Sequence, residues 1–222
     1  MKPAEYAVLD ATGLAALVAK RAVTAKEVAA AAADAVAALN PKLNAVVELY
    51  REQIDALNES ELPQGPFRGV PFLLKRIGIS EKGKPIGDLG TRLLKESDLP
   101  RPDYDSYVIA KFRQAGLNIM GHTTMPESAY TITVESPHQG TTHNPWRADV
   151  VAGGSSTGSA VAVASGMVPM AHASDAAGST RFPASVNGVI GLKPSRGRVS
   201  LGPDSCDVSR SKVSHFAVTR TV

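Results

Sequence analysis

The chain has 222 residues, a formal net charge of +3, 43% hydrophobic residues and 20% charged residues. That length suits one domain with a sizeable core, the composition is that of a soluble globular protein, and so mild a charge with no basic cluster argues against a nucleic-acid partner. One cysteine, Cys206, excludes an internal disulfide and fits a reducing, cytoplasmic setting; no apolar run reaches the ~18 residues of a membrane span, and Met1-Lys2-Pro3-Ala4-Glu5 lacks a signal-peptide pattern.

Asp10 to Arg21 carries Leu14, Leu17 and Val18 at helical spacing and predicts a short amphipathic helix. Thr24-Ala25-Lys26-Glu27 is a capping box. The helix it opens is expected to run to about Leu39 on the stripe Val28, Ala32, Val36 and Leu39, with Asn40-Pro41 stopping it. Ala45 to Tyr50 predicts a strand and Glu52 to Asn58 a helix. Glu61 to Arg68 is a Pro/Gly-rich loop leading into a buried strand, Gly69-Val70-Pro71-Phe72-Leu73-Leu74-Lys75. Ser80 to Pro102 predicts a long surface loop with a helical turn near Thr91–Lys95; such loops often shape substrate entry. Tyr104 to Ala115 predicts a helix carrying Tyr107, Val108 and Phe112, and Leu117 to Met120 the next strand. Met125-Pro126-Glu127 and Asn144-Pro145-Trp146 fall in turns, with Trp146 expected as a packing anchor. The alternation of helix and strand argues for an α/β fold.

Val151 to Ser185 is dense in Gly, Ala and Ser, a composition that brings backbone close to something else. It holds two small-residue turns, Gly153-Gly154-Ser155-Ser156 and Ala176-Ala177-Gly178-Ser179. The run between them predicts a short helix and a buried strand, which can fold Ser155 and Ser179 toward each other. Such a pair lacks a base. Lys75 closes an apolar run, and burial lowers an ammonium pKa, so a desolvated Lys75 can accept a proton. A Lys/Ser/Ser arrangement activates serine without histidine.

Taken singly, each residue has a plainer role. Lys75 would be a snorkelling lysine, Ser155 or Ser156 a helix N-cap, and Ser179 a turn residue. Asp175 and Arg181 could form a structural ion pair or could steer the Ser179 loop, and the expected role is support rather than chemistry. His122, His138, His143, His172 and His215 show no metal-ligand spacing, and His172 is expected to pack near the serines. Gly154-Ser155-Ser156-Thr157-Gly158 also fits G-x-S-x-G, which would make Ser156 the nucleophile with His215 downstream of it.

Gly69-Val70-Pro71 through Lys75, Asn144-Pro145-Trp146, Gly153 to Ser156, Asp175 to Ser179, Arg181-Phe182-Pro183-Ala184 and Gly188 through Gly191-Leu192-Lys193-Pro194 together resemble the amidase signature family, in order and spacing, from Val23 onward. The Asp-Ala-Ala-Gly-Ser block is similar to that of the nylon-oligomer (aminohexanoate cyclic dimer) hydrolases. The resemblance implies a Ser–cis-Ser–Lys triad, with Ser179 as nucleophile, Ser155 after a cis Gly154–Ser155 bond as the bridge, and Lys75 as the base. It further implies an oxyanion hole on the amides of Ala176, Ala177, Gly178 and Ser179, with Gly154, Ser156, Asp175 and Arg181 in support.

The implied fold is α/β, a central mixed sheet flanked by helices. Of that single domain only the N-terminal portion is expected, with 1–62 a helical region and 63–222 half of the catalytic core. The implied activity is hydrolysis of a carbonyl C–N bond in an amide, a carbamate or a cyclic oligoamide, without metal or cofactor. Two alternatives stay open: the A-type subunit of a glutamine-dependent tRNA amidotransferase, and a non-catalytic fragment that needs a second polypeptide. The expected partners are a small amide-type substrate and a C-terminal half on a second or continuing chain, with no membrane and with a homodimer compatible. Relatives are much longer. Arg76 stands where they often have an acid, Gly121-His122-Thr123-Thr124 where many have Lys and Asn, and Thr157 where glycine is usual.

Overall fold

The computed structural model describes residues 1–87, 89–94, 99–205 and 212–222. Helix α1 spans Pro3–Val8 and α2 spans Ala11–Ala19, the latter opened by Asp10, whose carboxylate accepts the Gly13 N–H at 2.7 Å. Helix α3, Ala25–Leu43, starts at the capping box: Thr24 Oγ1 accepts the Glu27 N–H at 3.1 Å, and the Glu27 carboxylate accepts the Thr24 N–H at 2.8 Å. It buries Val28, Ala29, Ala32 and Val36.

Asn40-Pro41 does not stop α3. The helix continues to Leu43 and closes on Asn44 in the left-handed region, φ 48. Pro41 sits in the last turn, where one missing N–H is tolerable, and Asn40 ties the exit. Its Oδ1 accepts from the Ala45 and Val46 amides at 2.8 Å each, and its Nδ2 donates to the Val46 carbonyl at 2.8 Å. Strand β1, Val46–Leu49, and helix α4, Arg51–Asp55, follow. Helix α4 ends short of Asn58, because the Asn58 side chain accepts the Ser60 N–H at 3.1 Å and opens a separate 3₁₀ turn.

Next come β2, Pro71–Lys75; α5, Tyr107–Gln114; β3, Asn118–Thr123; the short hairpin β4, Glu135–Ser136, and β5, Gly140–Thr141; α6, Thr157–Ala164; β6, Met170–Asp175; α7, Arg181–Asn187; β7, Ile190–Leu192; and β8, Ser214–Thr219. Six strands form one mixed sheet in the order β1-β3-β2-β6-β8-β7. Strand β2 runs parallel to both β3 and β6, while β1, β7 and β8 pair antiparallel. All five β2 residues are buried, as a strand in the parallel centre of a sheet must be. Phe72 packs on Phe112 of α5 with ring centroids 4.7 Å apart. Tyr107, by contrast, is exposed. The described part of 80–102 contains no helix or strand; residues 92–94 make a turn, and Lys95 lies outside the described residues.

Helix α6 is buried from Thr157 to Val163 and packs against β1, β2, β3, β6 and β8. Its Gly, Ser and Ala residues permit that approach. A Cβ at Gly158 would stand 2.2 Å from the Ala45 carbonyl oxygen and 2.5 Å from the Thr124 nitrogen. Only glycine fits there, and this close seat fixes where Ser155 and Ser156 enter the helix.

Candidate active site

Lys75 ends β2 in the middle of the sheet and is fully buried. Its Nζ donates to Ser155 Oγ at 2.8 Å. Burial lowers its pKa to about 7, with the Asp175 carboxylate opposing the fall. Near neutral pH a large fraction of Lys75 is therefore the free amine, so the same contact can run in reverse and take a proton from the hydroxyl. Arg76 does not contribute to this shift; its guanidinium turns to Glu48 at 3.5 Å and His122 at 3.2 Å.

Ser155 follows a cis Gly154–Ser155 peptide and is buried. The turn is tight: a Cβ at Gly153, where φ is +71, would lie 2.9 Å from Pro183 Cα. Ser156 occupies the N-cap position of α6 without capping it. Its Oγ instead donates to the Ser174 carbonyl at 3.2 Å and accepts the Ser174 N–H at 3.3 Å. Ser156 is fully buried, so it cannot be the exposed nucleophile of a G-x-S-x-G elbow. Its own N–H donates to the Ser179 carbonyl at 3.1 Å, which joins the two small-residue turns.

Strand β6 delivers Asp175 to the base of the Ser179 loop. The buried carboxylate accepts the amides of Gly178 at 2.8 Å, Thr180 at 3.2 Å and Arg181 at 3.3 Å. It also takes a two-pronged bond from the Arg181 guanidinium at 2.9 and 3.0 Å. Burial pushes Asp175 up, but Arg181 and the three amides together hold it at about 2. This geometry revises one expected oxyanion donor, since the Gly178 N–H is committed to Asp175. The amides of Ala176, Ala177 and Ser179 have no acceptor among the described residues.

Ser179 is half-buried at the mouth of a cavity of ≈ 320 Å³, which Ser155, Ser174, Ala176, Leu201 and His215 also line. Lys75 stands behind Ser155. The hydroxyl of Ser155, bonded to the depressed amine of Lys75, thus shares one cavity with the hydroxyl of Ser179.

His172 lies behind Lys75, with Nδ1 3.1 Å from the Lys75 carbonyl oxygen and Nε2 3.0 Å from His215 Nδ1. No local pattern signals this pair, because the two residues meet only through the β6–β8 register. A second buried cluster is equally hidden. Tyr50 Oη reaches Glu81 at 2.8 Å and His122 Nε2 at 2.7 Å, and His122 Nδ1 reaches Glu48 at 3.0 Å. Thr123 and Thr124, in the block that departs from the family pattern, bond Ser159 at 2.9 Å and Thr142 at 2.7 Å. Trp146 is not a buried anchor: it is 66% exposed and holds the surface by donating to the Asn187 carbonyl at 2.7 Å. Cys206 lies outside the described residues. Among the described residues no group of three or more His, Cys, Asp or Glu side chains could hold a metal, and no helix is long and apolar enough to cross a membrane.

The chain matches the family model "Amidase" over residues 27–219. It is 45% identical over 194 residues to the 6-aminohexanoate-cyclic-dimer hydrolase of Paenarthrobacter ureafaciens, covering 87% of this chain and 38% of that protein. It is 38% identical over 197 residues to the A-type subunit of the glutamyl-tRNA(Gln) amidotransferase of Acidothermus cellulolyticus, covering 86% and 38%. The solved structure of a 6-aminohexanoate cyclic dimer hydrolase complexed with substrate superposes with a TM-score of 0.87 at 40% identity, over 96% of this chain and 44% of that one. The chain spans less than half the length of these relatives.

Proposed function

This chain belongs to the amidase family, and on that premise we propose that it carries the nucleophile half of an amide hydrolase acting through a serine acyl-enzyme. Ser179 attacks the substrate carbonyl. Its proton passes through Ser155 to neutral Lys75, then to the departing amine, and water hydrolyses the acyl-enzyme. The Ala176, Ala177 and Ser179 amides receive the oxyanion; losing one such donor costs about 10²–10³ in rate. The observation that carries this reading is the buried Lys75–Ser155 contact of 2.8 Å, opening on the cavity shared with Ser179.

The substrate is a small linear or cyclic amide or a carbamate, in keeping with the hydrolases among its relatives. The remainder of the site comes from a C-terminal half on the same or a second chain. A cytoplasmic location and a homodimer are compatible with this reading. The similarity to an amidotransferase component supports a second one, in which glutamine is the amide and ammonia is passed to a partner. Ammonia release from glutamine, stimulated by co-purifying subunits, separates the two.

The test is kcat/KM against pH for a linear amide, a carbamate and a cyclic oligoamide. Lys75 must be neutral to act, and its pKa is about 7, so the rate rises as pH passes through 7 and levels above it. A rate highest below pH 6 and falling through 7 contradicts the mechanism.

A further inference from the structure

His172 on β6 and His215 on β8 stack with centroids 5.2 Å apart and planes 9° from parallel. Their hydrogen bonds decide where the protons sit. The Lys75 carbonyl can only accept, so His172 Nδ1, 3.1 Å away, carries a proton. In the neutral ring His172 Nε2 is then an acceptor, and His215 Nδ1, 3.0 Å from it, must donate. Nε2 of His215 is then an acceptor with no donor among the described residues. Burial above all, and then Lys75, lowers His215 to about 4, and burial also holds His172 well below its ordinary value. Both rings are therefore neutral where Lys75 can act as a base.

The Cε1–Nε2 edge of His215 faces the cavity wall at Gly78, where a built Cβ would lie 3.6 Å from each atom. Gly78, His215, Ser155 and Ser179 line the same cavity. His215 is 3% exposed, and no described residue donates to its Nε2. An acceptor on a buried ring that lines a cavity, with no donor among the described residues, is open to a donor from the ligand.

We propose that His215 Nε2 accepts an N–H of the ligand in this cavity, with its tautomer set through His172 by the Lys75 carbonyl. The site thereby selects carbonyl compounds that carry an N–H on or beside the reacting group over esters of the same acyl chain. His215 is the binding residue and His172 the positioning residue. The inference rests on the cavity being the amide site proposed above.

The test needs no turnover. The 222-residue chain carrying Ser179→Ala is labelled with ¹⁵N-histidine and titrated with hexanamide and with methyl hexanoate. The expected spectrum has His172 and His215 both protonated at Nδ1, with the His215 Nε2 resonance moving on hexanamide and not on the ester. His215→Asn, which keeps a donor toward His172, weakens hexanamide by about two- to tenfold, the worth of one hydrogen bond, and leaves the ester unchanged. His215→Gln, which can return an acceptor to the Nε2 position, recovers part of that loss. A proton on His215 Nε2, no response or no binding with hexanamide, or equal weakening of both ligands by His215→Asn overturns the proposal. Absence of hydrolysis once the chain is completed by its C-terminal half sinks the acyl-enzyme reading instead and leaves the binding result standing.

Discussion

Lys75→Met is expected to lower kcat/KM for amide hydrolysis by about 10⁴ or more while leaving the fold at least as stable. The rate falls because, among the described residues, Lys75 is the one base bonded to Ser155 Oγ. His172 and His215 stand close, but both nitrogens of His172 are engaged, and burial lowers His215 to about 4, which makes its Nε2 too weak a base to replace Lys75. Stability moves the other way. Lys75 titrates at about 7 in the folded chain against 10.5 when solvated. Between those values the unfolded chain binds the extra proton, so folding is penalised, and the penalty shrinks as pH rises toward 10.5. Below 7 it is complete, about 5 kcal/mol. Methionine fills the same space and removes that penalty. Kinetics and thermal unfolding at pH 7 check both halves: near-normal turnover denies Lys75 its role, and a large loss of stability denies that its burial is unfavourable.

Asp175→Asn is expected to lower kcat/KM by about 10²–10³ and stability by about 2–3 kcal/mol. The buried carboxylate accepts three amides and both arms of the Arg181 guanidinium, so it sets the path of the chain from Ala176 to Arg181. An asparagine offers one acceptor and turns an N–H toward donors. Arg181 is half-exposed and regains water, which keeps the stability loss below that of breaking a fully buried pair. A second readout separates this role from mere support. Asp175 holds the Lys75 pKa up, so its neutralisation moves the rising limb of the pH profile below 7. A rate loss without that displacement means that the carboxylate only shapes the loop.

The α/β order and most elements are legible in the sequence because short-range signals carry them. Asp10 and Thr24 mark helix starts through bonds three residues long, and β2 reads as a buried strand from an unbroken apolar run. Lys75, Ser155 and Ser179 each have a plainer use taken singly, so they stand out as candidates only through the order and spacing of the blocks that hold them. What stays hidden depends on distance in sequence. Pro41 signals a false stop because Asn40 ties the chain end with side-chain bonds that no propensity encodes. The Gly178 amide reads as an oxyanion donor because its bond to Asp175 follows only from how the loop curls. Trp146 reads as a packing anchor, yet it is largely exposed and donates one hydrogen bond to the Asn187 carbonyl. The His172–His215 and Tyr50–Glu81–His122 contacts join residues 31 to 72 positions apart, the first pair through the β6–β8 register and the second cluster through the loop that carries Glu81 back to the sheet, so no local pattern announces them.

Activation of Ser179 through Ser155 and Lys75 is tested most directly by intact-mass measurement after reaction with a phosphonate serine reagent, followed by peptide mapping. A single adduct on Ser179 is expected, formed faster as pH rises through 7 and missing in Lys75→Met. An unlabelled chain, or an adduct on Ser155 or Ser156 in place of Ser179, contradicts that mechanism.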